Sequence, residues 1–143
     1  MIVYADTSAL MKLVRPEEHT TSLRDWLTER EPTLVTNTIG AVELRRAAAR
    51  VGPLSVPDAD AVLARTRLID ARPATLDLAA RLAPPALRTL DAIHLATAVM
   101  IADLDGVLCY DRRLGAAFER IGITVAAPEG PAGGTTGLTG SGA

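Results

Sequence analysis

Four carboxylates in this sequence sit beside neighbours that normally exclude charge. Asp91 and His94 are three residues apart in Leu90-Asp91-Ala92-Ile93-His94-Leu95-Ala96-Thr97-Ala98, so on a helix they share a face. A helix this apolar is normally buried, and a lone buried carboxylate is too costly. Asp91 must therefore face a cleft or a partner charge. Asp6 ends the apolar run Ile2-Val3-Tyr4-Ala5, and Asp111 ends Val107-Leu108-Cys109-Tyr110. Glu43 lies among Ile39, Val42, Ala47 and Ala48. The other acids, such as Glu17, Glu18, Glu29 and Asp58, stand in polar stretches and read as solvated surface groups. Taken singly, each of the four has a plain reading. Asp6 and Asp111 are also possible helix caps, Asp91 helix-end decoration, Glu43 a helix acid paired with Arg46, and His94 a packed, hydrogen-bonded histidine. The joint placement is what points to a site.

If the four converge, electrostatics sets the chemistry. Two unit charges about 5 Å apart repel by roughly 3 kcal/mol at an effective dielectric near 20. Several such pairs reach roughly 10 kcal/mol, comparable to the stability of a whole domain. The acids must then take up protons or bind cations. An all-oxygen cluster suits Mg²⁺ or Mn²⁺, which can activate a bound water and clamp a phosphodiester for in-line attack. A single cysteine, Cys109, and two histidines argue against a zinc site.

The elements that must position these residues follow from periodicity and stop signals. Ile2–Ala5 reads as a buried parallel strand. Thr7 or Ser8 caps a helix to Leu13 or Val14, stopped by Pro16. A second helix runs from Thr20 or Thr21 to about Glu29, and Thr33–Thr36 forms the second strand. Asn37 or Thr38 caps a third helix, which carries Glu43 and ends near Val51 at Gly52-Pro53. Pro57-Asp58 opens a fourth helix to about Arg65, Leu68–Ala71 is a further strand, and a short helix spans about Leu76 to Leu82. Thr89 caps the helix of Asp91 and His94. Val107–Tyr110 is a strand, Arg112–Ile121 a helix stopped by Gly122, and Ile123–Ala126 the last strand. Strands alternating with helices predict an α/β fold whose parallel sheet is covered on both faces. Ligands in such folds bind beyond the carboxyl ends of the strands, near a switch in strand order.

The 143 residues are one domain's worth, and a hydrophobic content of 48% excludes a disordered chain. A formal net charge of −2 neither demands nor forbids a nucleic-acid partner, so any RNA contact needs a local basic patch. The lone cysteine leaves no internal disulfide and fits a reducing compartment. No basic stretch leads into an apolar one at Met1, and no apolar run is long enough to span a bilayer. A soluble cytoplasmic protein, with no membrane association, is expected. From Pro128 onward Gly, Pro, Thr and Ser dominate. Residues 1–128 are expected to fold and residues 129–143 to form a disordered tail.

With these pieces assembled, the sequence resembles the PIN-domain ribonucleases of the VapC toxin type over about Met1 to Pro128. The matching pieces are Ile2 through Leu10 with Asp6, Glu43-Leu44-Arg45-Arg46-Ala47, Leu90 through Ala98, and Tyr110-Asp111-Arg112-Arg113-Leu114. The resemblance implies a three-layer α/β/α fold with a central parallel sheet of about four or five strands. It implies that Asp6, Glu43, Asp91 and Asp111 form an acidic pocket for Mg²⁺, with Mn²⁺ possible. It also implies endoribonuclease activity through a metal-activated water. Ser8 and Thr7 match residues that support the first acid, with Ser8 the closer match, and His94 is a further supporting residue. The family often has Thr two residues before the last acid; here that residue is Cys109, a poorer hydrogen-bonding group. A homodimer, an RNA substrate and a VapB-type antitoxin that blocks the pocket are also implied.

For phosphate contact, Arg45, Arg46, Arg112 and Arg113 are candidates. Arg112 directly follows a pocket acid, although a solvated arginine at a helix start fits it equally well. Two rival functions stand beside the nuclease. An aspartyl-phosphate enzyme built on Asp6 would want a second acid where this chain has Ser8. A catalytically silent RNA-binding PIN module would be expected to have lost pocket acids.

Overall fold

The computed structural model describes residues 1–130. Along the chain run β1 (Ile2–Ala5), α1 (Thr7–Val14), α2 (Thr20–Arg30), β2 (Thr33–Asn37), α3 (Thr38–Val51), α4 (Ser55–Ala64), β3 (Arg67–Ile69), α5 (Pro73–Arg81), α6 (Thr89–Val99), β4 (Gly106–Leu108), α7 (Arg112–Arg120) and β5 (Val125–Ala126). The five strands form one sheet in the order β3-β2-β1-β4-β5, and every pairing is parallel.

The alternation of side chains along each strand creates the three layers. Val3, Ala5 and Leu108 point to one face, where they pack with Leu10, Leu23, Trp26, Leu44 and Leu63 from α1 through α4. Tyr4, Val35, Val107 and Cys109 point to the other, against Leu95 and Ala98 of α6 and Leu114, Ala117 and Phe118 of α7. The sheet is buried on both sides, which is why its strands read as continuous apolar runs. Among the described residues no helix is long and apolar enough to cross a membrane.

Several boundaries differ from the sequence reading, each for a local reason. β4 ends at Leu108, so Asp111 is not the end of a strand. Its neighbour β1 pairs only as far as Ala5 opposite Leu108 and then turns into α1, which leaves Cys109 and Tyr110 without that partner. Asp111 instead caps α7, its Oδ1 accepting from the Arg113 and Leu114 amides at 2.9 and 3.0 Å. The cap of α1 is Asp6 rather than Thr7 or Ser8. Thr89 does not cap α6; it is the first helical residue, and Arg88 holds the cap position without a side-chain hydrogen bond. α4 begins at Ser55, with Pro57 in its first turn, where a missing N–H costs nothing. α5 likewise begins at Pro73. Asn37 caps α3 as expected, accepting from the Gly40 amide. The expectation of a disordered tail falls, from residue 131 onward, outside the described residues.

Candidate active site

The strand order switches at β1, with β2 and β3 to one side and β4 and β5 to the other. Crevices beyond the carboxyl ends of strands form at such switches. Asp6 lies immediately past β1, and Cys109, Tyr110 and Asp111 follow β4. α1 contributes Thr7 and Ser8, α3 contributes Glu43, and the first turn of α6 contributes Asp91.

Asp6 is 4% exposed, yet only neutral groups bond to its carboxylate. The Ser8 hydroxyl lies 2.7 and 2.9 Å from its two oxygens, the Ala9 amide donates at 3.1 Å, and Cys109 Sγ approaches to 3.3 Å. Ser8 Oγ in turn accepts from the Tyr110 amide at 2.9 Å, tying the end of β1 to the loop after β4. Burial pushes the Asp6 carboxyl up; the Ser8 hydrogen bond and the nearby His94 charge oppose this without cancelling it. Asp91 is also raised, first by burial, then by the charge of Asp111, with Glu43 and Asp6 adding to the repulsion. The four acids therefore share one field. Among the described residues, no lysine or arginine forms an ion pair with any of them.

Glu43 behaves differently. Burial raises its carboxyl, but hydrogen bonds from His94 and Thr7 and the charges of His94 and Arg50 outweigh that, so it stays below its ordinary value. Thr7 Oγ1 donates to Glu43 Oε1, and His94 Nε2 lies 3.0 Å from the same oxygen. Behind His94 runs a buried chain of neutral groups. Asn37 Nδ2 donates to Tyr4 Oη at 2.9 Å and to Thr97 Oγ1 at 3.2 Å, and Tyr4 Oη stands 2.6 Å from His94 Nδ1. Burial raises the Tyr4 phenol, so it keeps its proton and, already accepting from Asn37, has that proton to give to Nδ1. Both ring nitrogens therefore have a partner, Nδ1 facing Tyr4 and Nε2 facing Glu43. Gly40 makes room for the ring: a Cβ there would lie 2.9 Å from His94 Cε1 and 3.2 Å from Asn37 Oδ1.

The structure thus brings Asp6, Glu43 and Asp111 within reach of the charge on Asp91 and places Ser8, Thr7 and His94 in direct support of Asp6 and Glu43. Arg45 points elsewhere, paired with Asp60 at 2.7 Å. Arg112 is exposed at the start of α7, beside Asp111. Tyr4, Asn37 and Gly40 were missed by the sequence reading. Strand alternation puts Tyr4 on the His94 side of the sheet, and Asn37 occupies the strand-to-helix junction after β2 that Asp6 occupies after β1. Cys109 supports Asp6 as well as lying 3.3 Å from the Asp111 carbonyl.

Among the described residues no three His, Cys, Asp or Glu side chains stand close enough to enclose an ion. The acids offer only oxygen donors, the donor type that Mg²⁺ and Mn²⁺ take. Mg²⁺ is usually held by one or two carboxylates and keeps several waters, and the buried, uncompensated Asp6 carboxylate is the group a cation would relieve.

The PIN domain family model matches residues 3–121. Ribonuclease VapC35 of Mycobacterium tuberculosis is 41% identical over 131 residues, covering 89% of this chain and 97% of that protein. Among solved structures, Mycobacterium tuberculosis VapC20, a Sarcin-Ricin loop cleaving toxin, superposes with a TM-score of 0.73 at 17% identity, covering 90% of this chain and all of that one. A toxin–antitoxin complex from Klebsiella pneumoniae gives 0.68 at 20% identity, covering 88% of this chain and 97% of that one. At these identities the two structures establish the fold.

Two outcomes follow for the metal-free protein. An acid raised in the folded state binds more protons folded than unfolded, so stability falls as pH rises from the unfolded value through the folded one. Asp6→Asn keeps the cap oxygen and removes the charge. It should raise stability by about 1 kcal/mol or more near pH 8, with the gain vanishing near pH 3, read by urea unfolding at both pH values. Gly40→Ala forces the His94 ring away and should cost about 1–3 kcal/mol while shifting the His94 imidazole ¹⁵N resonances. Unchanged resonances would show that the ring does not need this space.

Proposed function

The chain belongs to the PIN-domain family, and from that premise we propose that it is a Mg²⁺- or Mn²⁺-dependent endoribonuclease, the toxin of a type II toxin–antitoxin pair. The observation that carries the reading is the buried Asp6 carboxylate, raised and without a cationic partner, in the same field as Asp91, Glu43 and Asp111. The 41% identity to a protein named a ribonuclease supports it.

Asp6 and Asp91 would hold the ion, with Glu43 and Asp111 completing the cluster directly or through water. The ion, when bound, would polarise the scissile phosphodiester and lower the pKa of water. The chain's own groups do the positioning. Ser8 and the Ala9 amide fix the Asp6 carboxylate, and Thr7 and His94 fix Glu43. Asp111 spends Oδ1 on the α7 cap, which leaves Oδ2 uncommitted among the described residues. Two potential nucleophiles are tied down. The Ser8 hydroxyl is committed to Asp6, and burial raises the Cys109 thiol, keeping it in its unreactive neutral form. Water is the nucleophile of this proposal. An aspartyl-phosphate enzyme would want a second acid two residues after Asp6, and that place holds Ser8, bonded to Asp6 itself.

A VapB-type antitoxin is the proposed partner, supported by the likeness to a toxin–antitoxin complex. A homodimer in the cytoplasm completes the proposal. Asp91→Asn, half-buried and outside the packed core, should fold normally and lose at least about 100-fold in kcat/KM for RNA in Mn²⁺. Excess EDTA should silence the wild type. RNA cleavage that persists in EDTA, or a fully active Asp91→Asn, would refute the reading.

A further inference from the structure

The acidic hollow creates a difficulty for its own substrate. RNA carries a negative charge at each phosphate, and the chain as a whole is slightly negative, so association needs cations placed beside the hollow. The cations on the face of α3 do not supply this as a group, because Arg45 is spent on Asp60.

A groove with about 460 Å³ of room lies between α7 and the loop that precedes α6. Pro84 and Leu87 form one side, and Arg112, Arg113, Ala116 and Arg120 form the other. It contains no acid. All three arginines are exposed, and among the described residues none of them has an ion-pair or hydrogen-bond partner for its guanidinium. Helical geometry sets their spacing: Arg113, Ala116 and Arg120 follow one stripe of α7, and the small Ala116 keeps the groove open between two cations.

Both walls lead into the acidic hollow. α7 begins at its cap, Asp111, and the loop continues through Arg88 into the first turn of α6, where Asp91 stands. A strand of RNA lying in this groove would pass toward Asp111 and Asp91, the acids that its two walls lead to.

We infer that the groove between α7 and the Pro84–Leu87 loop is a binding track for the RNA backbone flanking the scissile phosphate, with Arg113 and Arg120 as its phosphate contacts. The inference rests on the nuclease reading for the identity of the ligand, but its test does not depend on cleavage. Guanidinium groups bind phosphate oxygens through paired N–H donors, and three unpaired ones in a groove keep that capacity. The apolar Pro84 and Leu87 offer a surface for ribose and base faces. That mixture suits a nucleotide chain better than an acidic peptide, which would bring only carboxylates.

The test uses the full chain in EDTA, with a fluorescein-labelled single-stranded RNA of about 20 nucleotides, by fluorescence anisotropy across a salt series. Each phosphate contact on single-stranded nucleic acid contributes about 0.7 to the slope of log K against log salt. Arg113→Gln/Arg120→Gln should therefore flatten the slope by about 1.4 with an unchanged circular dichroism spectrum. In cleavage assays it should raise KM and leave kcat alone, since these residues hold substrate equally in ground and transition states. Arg24→Gln/Arg65→Gln, on α2 and at the C-cap of α4 in the opposite layer, should leave the slope as it is. An unchanged slope in the groove variant overturns the inference. So does an equal flattening in the control, which would show diffuse charge at work. Poly-glutamate binding that depends on Arg113 and Arg120, with no RNA binding, overturns it as well. If RNA binding shows the expected slope change and no RNA is cut, the groove stands and the nuclease reading falls.

Discussion

One buried carboxylate governs the arrangement. Asp6 lies at the switch in strand order, almost fully enclosed, and its bonding partners are a hydroxyl, an amide and a thiol. Hydrogen bonds of this kind hold a carboxylate in place but do not neutralise it, and Asp6 and Asp91 repel each other. The fold tolerates this because Asp6 is also structural: it caps α1 and, through Ser8, ties β1 to the loop after β4. The site and the carboxyl end of the central strand are built from the same atoms, so the unfavourable charge cannot be moved without undoing a helix start.

The opposite wall is stabilised by different means. Glu43 is held low by two donors, and the one from His94 is aimed by a chain that runs through Tyr4 to Asn37 and Thr97. That chain is buried, so its groups are satisfied by one another rather than by water, which fixes the ring orientation. Gly40 is the position where a backbone must approach the imidazole closely. Glu43 is thus held below its ordinary value while Asp6 is raised above its own. Pairs of acids pushed apart in this way are common where a site must bind a cation and handle protons.

Much of this was legible in the sequence. Apolar runs broken by Asp6, and an apolar helix carrying Asp91 and His94, betray themselves because charge in apolar company demands a reason. The layer order followed from the alternation of strands and helices. What could not be read was anything that depends on three-way contact. Tyr4 and Asn37 look like an ordinary strand residue and an ordinary cap, and no spacing rule joins residues 4, 37 and 94. Asp111 looked like a strand end because Cys109 and Tyr110 are apolar enough to extend β4, whereas the end of its neighbour β1 decides where the strand stops. Arg112 and Arg113 were visible as candidates, but the groove exists only because the Pro84–Leu87 loop lies against α7, a tertiary contact that brings in Arg120.

The central claim, that Asp6 and its neighbours hold excess negative charge until a divalent ion relieves it, is tested most directly by the protons released on metal binding. Titrating Mn²⁺ calorimetrically near pH 5 in buffers of different ionisation enthalpy measures that number. Raised carboxyls in the hollow predict net proton release in the wild type, reduced in Asp6→Asn. Mn²⁺ binding with no proton release, or no binding at all, would contradict the account.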